Sequence, residues 1–115
     1  MSTLYFTKGD NKAVRTWTLR NGPMPSSSVV DLTNASALEI HAIGMPNPTM
    51  TVSVSGSPTA GTVTRTFLTA DLAVAFSGAR ELDFEFETQV TFVDGTIATF
   101  PSPGKDTIHV TDQLA

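Results

Sequence analysis

Apolar and polar residues alternate most plainly over "ELDFEFETQVTF", residues 81–92, where Leu82, Phe84, Phe86, Val90 and Phe92 are interleaved with Asp83, Glu85, Glu87, Gln89 and Thr91. A period of two puts one set on a buried face and the other in solvent. The segment therefore predicts a strand half-buried against a second sheet, with an acidic outer surface. Thr88 interrupts the apolar set, and the segment is about twice the usual strand length, so a β-bulge is predicted there. Asp94-Gly95 follows. Asp-Gly between two strand-like runs predicts a hairpin, because Gly supplies the positive φ of a tight turn. Two registers are open. A two-residue loop sets Phe92 opposite Ile97 and Val90 opposite Thr99, leaving Phe100 on the acidic face. A one-residue bulge at the turn brings Ala98 and Phe100 inward.

The same reading extends along the chain. "KAVRTWTLRNG" places Ala13, Arg15, Trp17 and Leu19 on one face and Val14, Thr16 and Thr18 on the other, and Asn21-Gly22 ends the strand. A loop rich in Pro, Ser and Asn leads through Asp31 into "SALEIHAI", where Leu38 and Ile40 alternate with Glu39 and His41. "TMTVSVSG" and "AGTVTRTFL" predict a hairpin about the turn at residues 56–58. "TADLAVAF" predicts a helical turn bridging two strands, with Thr69 as its N-cap and Asp71 near the positive end of the dipole. "LYFT" and "DTIHV" complete a set of seven or eight short strands, the last returning after Pro101 and Pro103 end the pairing. Evenly spaced strands with turn signals between them predict an all-β, immunoglobulin-like antiparallel sandwich, with a small closed barrel as the alternative.

Composition agrees with strands: eighteen Thr and ten Ser accompany many Val and Ile. β-Branched side chains lose χ1 freedom against a helical turn and fit a pleated surface. At 115 residues the chain predicts one domain, 1–115, with its core over about 8–110. No apolar run approaches the roughly 20 residues of a membrane span. The N-terminus lacks the charged start and apolar stretch of a secretory signal, so synthesis in a cytosol is expected. The absence of cysteine excludes disulfides, thiolate nucleophiles and sulfur-ligated metals. A net charge of −4 without any basic cluster argues against a nucleic-acid partner, since counterion release needs clustered cations.

Few groups suggest chemistry. His41 and His109 sit on separate predicted strands, each flanked by aliphatic residues and neither at metal-ligand spacing, so surface positions are expected. Asp83, Glu85 and Glu87 point the same way and could in principle bind a hard cation, but this alternation is what a solvated sheet face produces. The chain has neither a Gly-x-Ser-x-Gly nucleophile motif nor a Gly-rich loop leading into a helix. Asn34-Ala35-Ser36 matches a glycosylation acceptor and is read as incidental without a secretory signal. Trp17 and Tyr5 could stack on a sugar, yet a lone Trp on an alternating strand is more often core. No catalytic residue, metal site or cofactor is expected, and function is assigned to the surfaces.

In order, "KGDNKAVRTWTLRNG", "VVDLTNASALEIHAI", "GTVTRTFLTADL" and "FSGARELDFEFETQVTFVDGTIATFPSPGKDTIHV" resemble the N-terminal domain of phage upper baseplate proteins and similar small tail-associated domains. The shared features are an early Lys-Gly-Asp, an Asp-Leu-Thr before the next strand, a Gly-led strand ending in Leu-Thr, a late Asp-Gly hairpin, and Phe-Pro-Ser before a final Ile-x-Val strand. The resemblance runs from about Lys8 to Val110. It implies an immunoglobulin-like sandwich that assembles with other virion proteins in a tail or baseplate, as a symmetric homo-oligomer or ring, without catalysis. Gly9, Asp10, Asp31, Leu32, Thr33, Asp94, Gly95, Phe100, Pro101 and Ser102 become fold-defining positions under it, beside the core Trp17. Upper baseplate proteins usually continue into further segments, so a neck or capsid-decorating subunit is an alternative setting, and a glycan-binding module is the alternative function.

Overall fold

The computed structural model describes residues 3–21, 28–100 and 106–112. Its strands are β1 (Thr3–Thr7), β2 (Ala13–Thr18), β3 (Arg20–Asn21), β4 (Ser28–Val29), β5 (Ala35–Ala42), β6 (Thr49–Thr51), β7 (Ser53–Val54), β8 (Thr62–Phe67), β9 (Glu81–Phe92), β10 (Ile97–Phe100) and β11 (Asp106–Thr111). They form a large sheet in the order β1-β11-β9-β5-β6, with β10 also on β9, and a small sheet in the order β2-β8-β7. β3 and β4 make a separate two-stranded ribbon. The large and small sheets pack as two layers, so the chain is an all-β sandwich. One pairing departs from the antiparallel expectation: β1 runs parallel to β11, Thr3 beside Thr107 through Thr7 beside Thr111.

The strands are more numerous than the sequence pattern predicts because the expected strand over residues 12–22 is divided into β2 and β3, that over 49–56 into β6 and β7, and β4 lies in the predicted loop. β6 belongs to the large sheet and β7 to the small one, with only Val52 between them, so one edge strand crosses from layer to layer. The predicted hairpin about residues 56–58 is accordingly the short β7–β8 pair. The return of the last strand differs from the expectation of a crossing. β10 pairs with β9 from Thr91 to Thr88, and β11 pairs with β9 from Phe86 to Glu81. The two lie end to end along the same side of β9. Pro101, Ser102 and Pro103, assigned to ending the pairing, lie outside the described residues.

β9 pairs along its length without slipping, and Thr88 is fully buried. The predicted bulge is absent at Thr88, and the irregularity lies on the neighbouring strand, between Ala35 and Ala37. After Phe92 the chain turns through Val93, Asp94 and Gly95. Gly95 N–H donates to Phe92 C=O, Phe92 N–H donates to Thr96 C=O, and Gly95 has φ +89°. This is the three-residue loop with a glycine bulge, and it selects the second of the two registers. Ala98 faces Val90, Phe100 faces Thr88, and Phe100 is buried.

The core lies between the sheets. Leu4, Phe6, Ile40, Met50, Phe86, Val90, Phe100, Ile108 and Val110 of the large sheet meet Trp17, Val63 and Phe67 of the small one. The Phe6 and Phe67 rings pack 4.7 Å apart across the layers. Each such side chain contributes about 1.5–3 kcal/mol through burial. Leu72, Val74 and Phe76 close one end of the core. Leu72 ends the predicted turn, a short 3-10 helix, Thr69–Leu72, whose N-cap position is Leu68 rather than Thr69, and Val74 and Phe76 follow it. The Thr69 hydroxyl donates instead to Asp10 C=O, which ties this turn to the β1–β2 connection.

Candidate functional site

The two sheets are tied by polar groups at inward positions as well as by apolar packing. Trp17, on β2, is 4% exposed; its Nε1 donates to Thr88 Oγ1 of β9 over 3.1 Å, and its ring meets Phe86 edge-on at 5.7 Å. Thr88 therefore belongs to the buried face as the polar partner that an interior indole needs. A buried Trp17 cannot stack on a sugar, whereas Tyr5 is 65% exposed.

Arg15 and Arg65 are direct neighbours across the β2–β8 ladder, on the same inward face as Trp17, Val63 and Phe67. Like charges so placed repel, and the two side chains reach for opposite edges of the large sheet. Arg15 lies over the Phe6 ring at 4.6 Å and donates from Nε and Nη2 to Tyr5 C=O on β1, at 3.2 and 2.9 Å, and from Nη1 to Val14 C=O at 2.9 Å. Arg65 lies 5.4 Å from the Phe67 ring centre and donates from Nη1 to Thr51 C=O on β6, at 2.8 Å. Its Nη2 pairs with Asp71 at 2.9 Å, and that carboxylate also accepts the Leu68 N–H and the Asn47 amide. Burial pushes the Asp71 carboxyl up, but these hydrogen bonds and the Arg65 charge outweigh it and hold the group below the usual carboxylate range. The outermost strands of the large sheet, β1 and β6, thus each have a carbonyl occupied by an arginine from the facing sheet.

The outer face of the large sheet divides along β9. Its lower half carries Glu81, Asp83, Glu85 and Glu87, and both histidines flank it. His109 on β11 sits opposite Asp83, with Nδ1 2.5 Å from Asp83 and Nε2 3.1 Å from Glu81. The Tyr5 ring packs at 5.5 Å on its other side. The two carboxylates raise the His109 pKa, Asp83 more than Glu81. His41 on β5 pairs with Glu39 at 2.9 Å. Among the described residues no group of three or more His, Asp or Glu is arranged to hold a metal ion. The upper half of the same face presents Gln89, Thr91, Ile97 and Thr99 from β9 and β10, with Glu39 of β5 opposite Gln89 as its charged neighbour.

The positions singled out from sequence fall at turns and in the core rather than in one cluster. Gly9 and Asp10 form the β1–β2 turn, where Asp10 N–H donates to Thr7 C=O and the Asp10 carboxylate accepts the Thr7 N–H. Asp31 and Thr33 form an Asx turn: Asp31 Oδ1 accepts both the N–H and the hydroxyl of Thr33, which lowers the Asp31 pKa, while Leu32 between them is buried. Asp94 accepts the Thr96 N–H at the hairpin, lowering its pKa in turn. Phe100 is in the core and Pro101 lies outside the described residues. Sequence reasoning misses the arginine ties. Their signal is nonetheless present, since Arg15 stands between Ala13 and Trp17, and Arg65 between Val63 and Phe67, at positions whose parity points inward.

Comparison of the chain with protein-family models, with curated proteins and with solved structures returns no match.

Proposed function

We propose that this chain is a non-enzymatic structural subunit that assembles with other proteins of a bacteriophage virion, in the tail or baseplate, through its sheet edges and loops. The observation that carries the reading is the contrast between a cross-tied interior and unequal edges. Trp17, Arg15 and Arg65 fix one sheet to the other, while β10 presents an outer edge that no described strand covers. Rigid layers with a usable edge suit a subunit that holds neighbours in register, because strand addition supplies affinity without a preformed pocket. Closed symmetry multiplies such a contact. The virion setting rests on the resemblance to upper baseplate domains described above. Quantitative peptide mass spectrometry on purified particles tests it: the chain is expected at a fixed copy number relative to the major capsid protein, in multiples of three, five or six. Its absence from particles would remove the virion assignment.

A further inference from the structure

Among the described residues, three strands of the large sheet have a side without a strand partner: β1, β6 and β10. Exposed sheet edges template further pairing, and folded proteins blunt them with charge or by keeping them short. The Tyr5 carbonyl of β1 is taken by Arg15. β6 is three residues long before the chain leaves for the other sheet, and its Thr51 carbonyl is taken by Arg65. β10 has neither protection among the described residues. It contains Ile97, Ala98, Thr99 and Phe100, and no charged side chain. Below it β1 pairs with β11 from Thr107 onward, so among the described residues the sheet margin is a step with β10 in the notch.

The hydrogen-bond phase of β10 follows from its hairpin. Phe92 N–H donates to Thr96 C=O, so in the alternation of an antiparallel ladder Ala98 bonds with Val90 and Phe100 with Thr88. The N–H and C=O groups of Ile97 and Thr99 then point away from β9, into the notch. We propose that this edge pairs with the same edge of a second copy of the chain, antiparallel about a two-fold axis through Ala98, making one sheet continuous across both copies. The inference rests on the reading of the chain as an assembly subunit and names the edge and the partner.

A second copy fits for two reasons. With Ala98 opposite its own equivalent, Ile97 of each copy faces Thr99 of the other. The two outward residues on each side then exchange both of their backbone bonds, four in all. Cross-strand Ile–Thr neighbours also suit a half-exposed pleat. The second reason is charge. Antiparallel pairing brings together the uncharged β10 edges with Ile97 and Thr99, leaves Glu39 two strands back on β5, and sends the acidic halves, Glu81 to Glu87, to opposite ends. A parallel arrangement would set the acidic halves side by side.

Residue-resolved amide hydrogen exchange on the wild-type chain, run across a concentration series beside sedimentation velocity, tests the proposal. Ala98 and Phe100 amides are internal to the hairpin and are expected to be protected at every concentration. Ile97 and Thr99 amides are expected to exchange freely when dilute and to gain at least tenfold protection as dimer forms. Ile97→Lys, at a site 59% exposed, is expected to shift the dimer constant at least tenfold toward monomer while leaving the unfolding midpoint of the dilute monomer unchanged. A chain that stays monomeric throughout, or a dimer in which Ile97 and Thr99 amides still exchange freely, would overturn the inference. A fixed copy number in particles together with a monomer in solution would overturn the edge assignment alone and leave the structural-subunit reading standing.

Discussion

Replacing Thr88 with Val isolates one hydrogen bond in the middle of the sandwich. The two side chains have nearly the same shape, and Thr88 is 0% and Trp17 4% exposed, so water cannot take the place of the lost hydroxyl. The indole N–H, now 3.1 Å from its acceptor, would be buried without one. An unsatisfied buried donor costs about 1–3 kcal/mol. The methyl that replaces the hydroxyl returns at most about 1 kcal/mol through burial. The expected net loss is about 1–2 kcal/mol, which in a domain of this size lowers Tm by roughly 4–10 °C. Urea unfolding followed by far-UV circular dichroism measures it, and a double-mutant cycle with Trp17→Phe separates the bond from general packing. In the Trp17→Phe background there is no N–H to strand, so Thr88→Val is expected to be neutral or mildly stabilising, with a coupling of about 1–2 kcal/mol. A Thr88→Val protein as stable as the wild type, with no coupling to position 17, would refute the account of Thr88 as the indole's partner.

Three further outcomes follow from the same geometry. Asp71→Asn leaves the Arg65 guanidinium without its counter-charge at a site where the two side chains are 14% and 6% exposed, and a loss of about 3–5 kcal/mol is expected in urea titrations. Because the folded Asp71 pKa is lowered, its contribution is present above the unfolded value of about 3.9 and disappears as pH falls through the folded one, so the variant should show less acid sensitivity than the wild type. His109 runs the other way. Its folded pKa is raised, so its stabilisation is complete below about 6.5 and is lost as pH rises through the raised value. His109→Gln should flatten that region of the stability profile, and an unchanged slope would contradict the clamp by Asp83 and Glu81. Gly95→Val forces a β-branched residue to φ +89° where a Cβ meets no atom within 4 Å. Its cost is therefore conformational, about 1–2 kcal/mol or somewhat more. Gly95→Asn should recover some of the loss in thermal melts, and an unaltered Tm for the Val variant would count against the turn.

The features legible in sequence are those encoded locally. The alternation over residues 81–92 states which face of β9 is wet, and Asp94-Gly95 states where the chain reverses. What escapes such a reading depends on residues distant in sequence. Thr88 looks like a break in an apolar stripe until Trp17, 71 positions away, is brought beside it. The hairpin register turns on one residue of loop length, which period-two patterns accommodate either way with opposite consequences for Phe100. Arg15 and Arg65 carry the expected inward parity, but a charge at such a position gains meaning only from the carbonyl it reaches, on a strand of the other sheet. The collinearity of β10 and β11 is hidden because a proline-containing segment between two strands reads equally as a crossing or as an interruption. Both histidines read as surface positions from sequence, yet their presence on one face with the acidic stripe requires the order β11-β9-β5.

The parallel pairing of β1 with β11 has a mechanical consequence. Thr3 begins one strand and Thr111 ends the other, and five residue pairs lie between them in register. A force drawing these two ends apart acts along the strands, so it must shear the hydrogen bonds of that ladder together. In an antiparallel hairpin pulled from its open end, the bonds would instead break in succession. The sandwich is thus built to resist tension along the line joining its first and last strands, and a single-molecule pull with handles at Thr3 and Asp112 should meet a much higher peak force than one with handles at Thr88 and Phe100, at the open end of the β9–β10 hairpin.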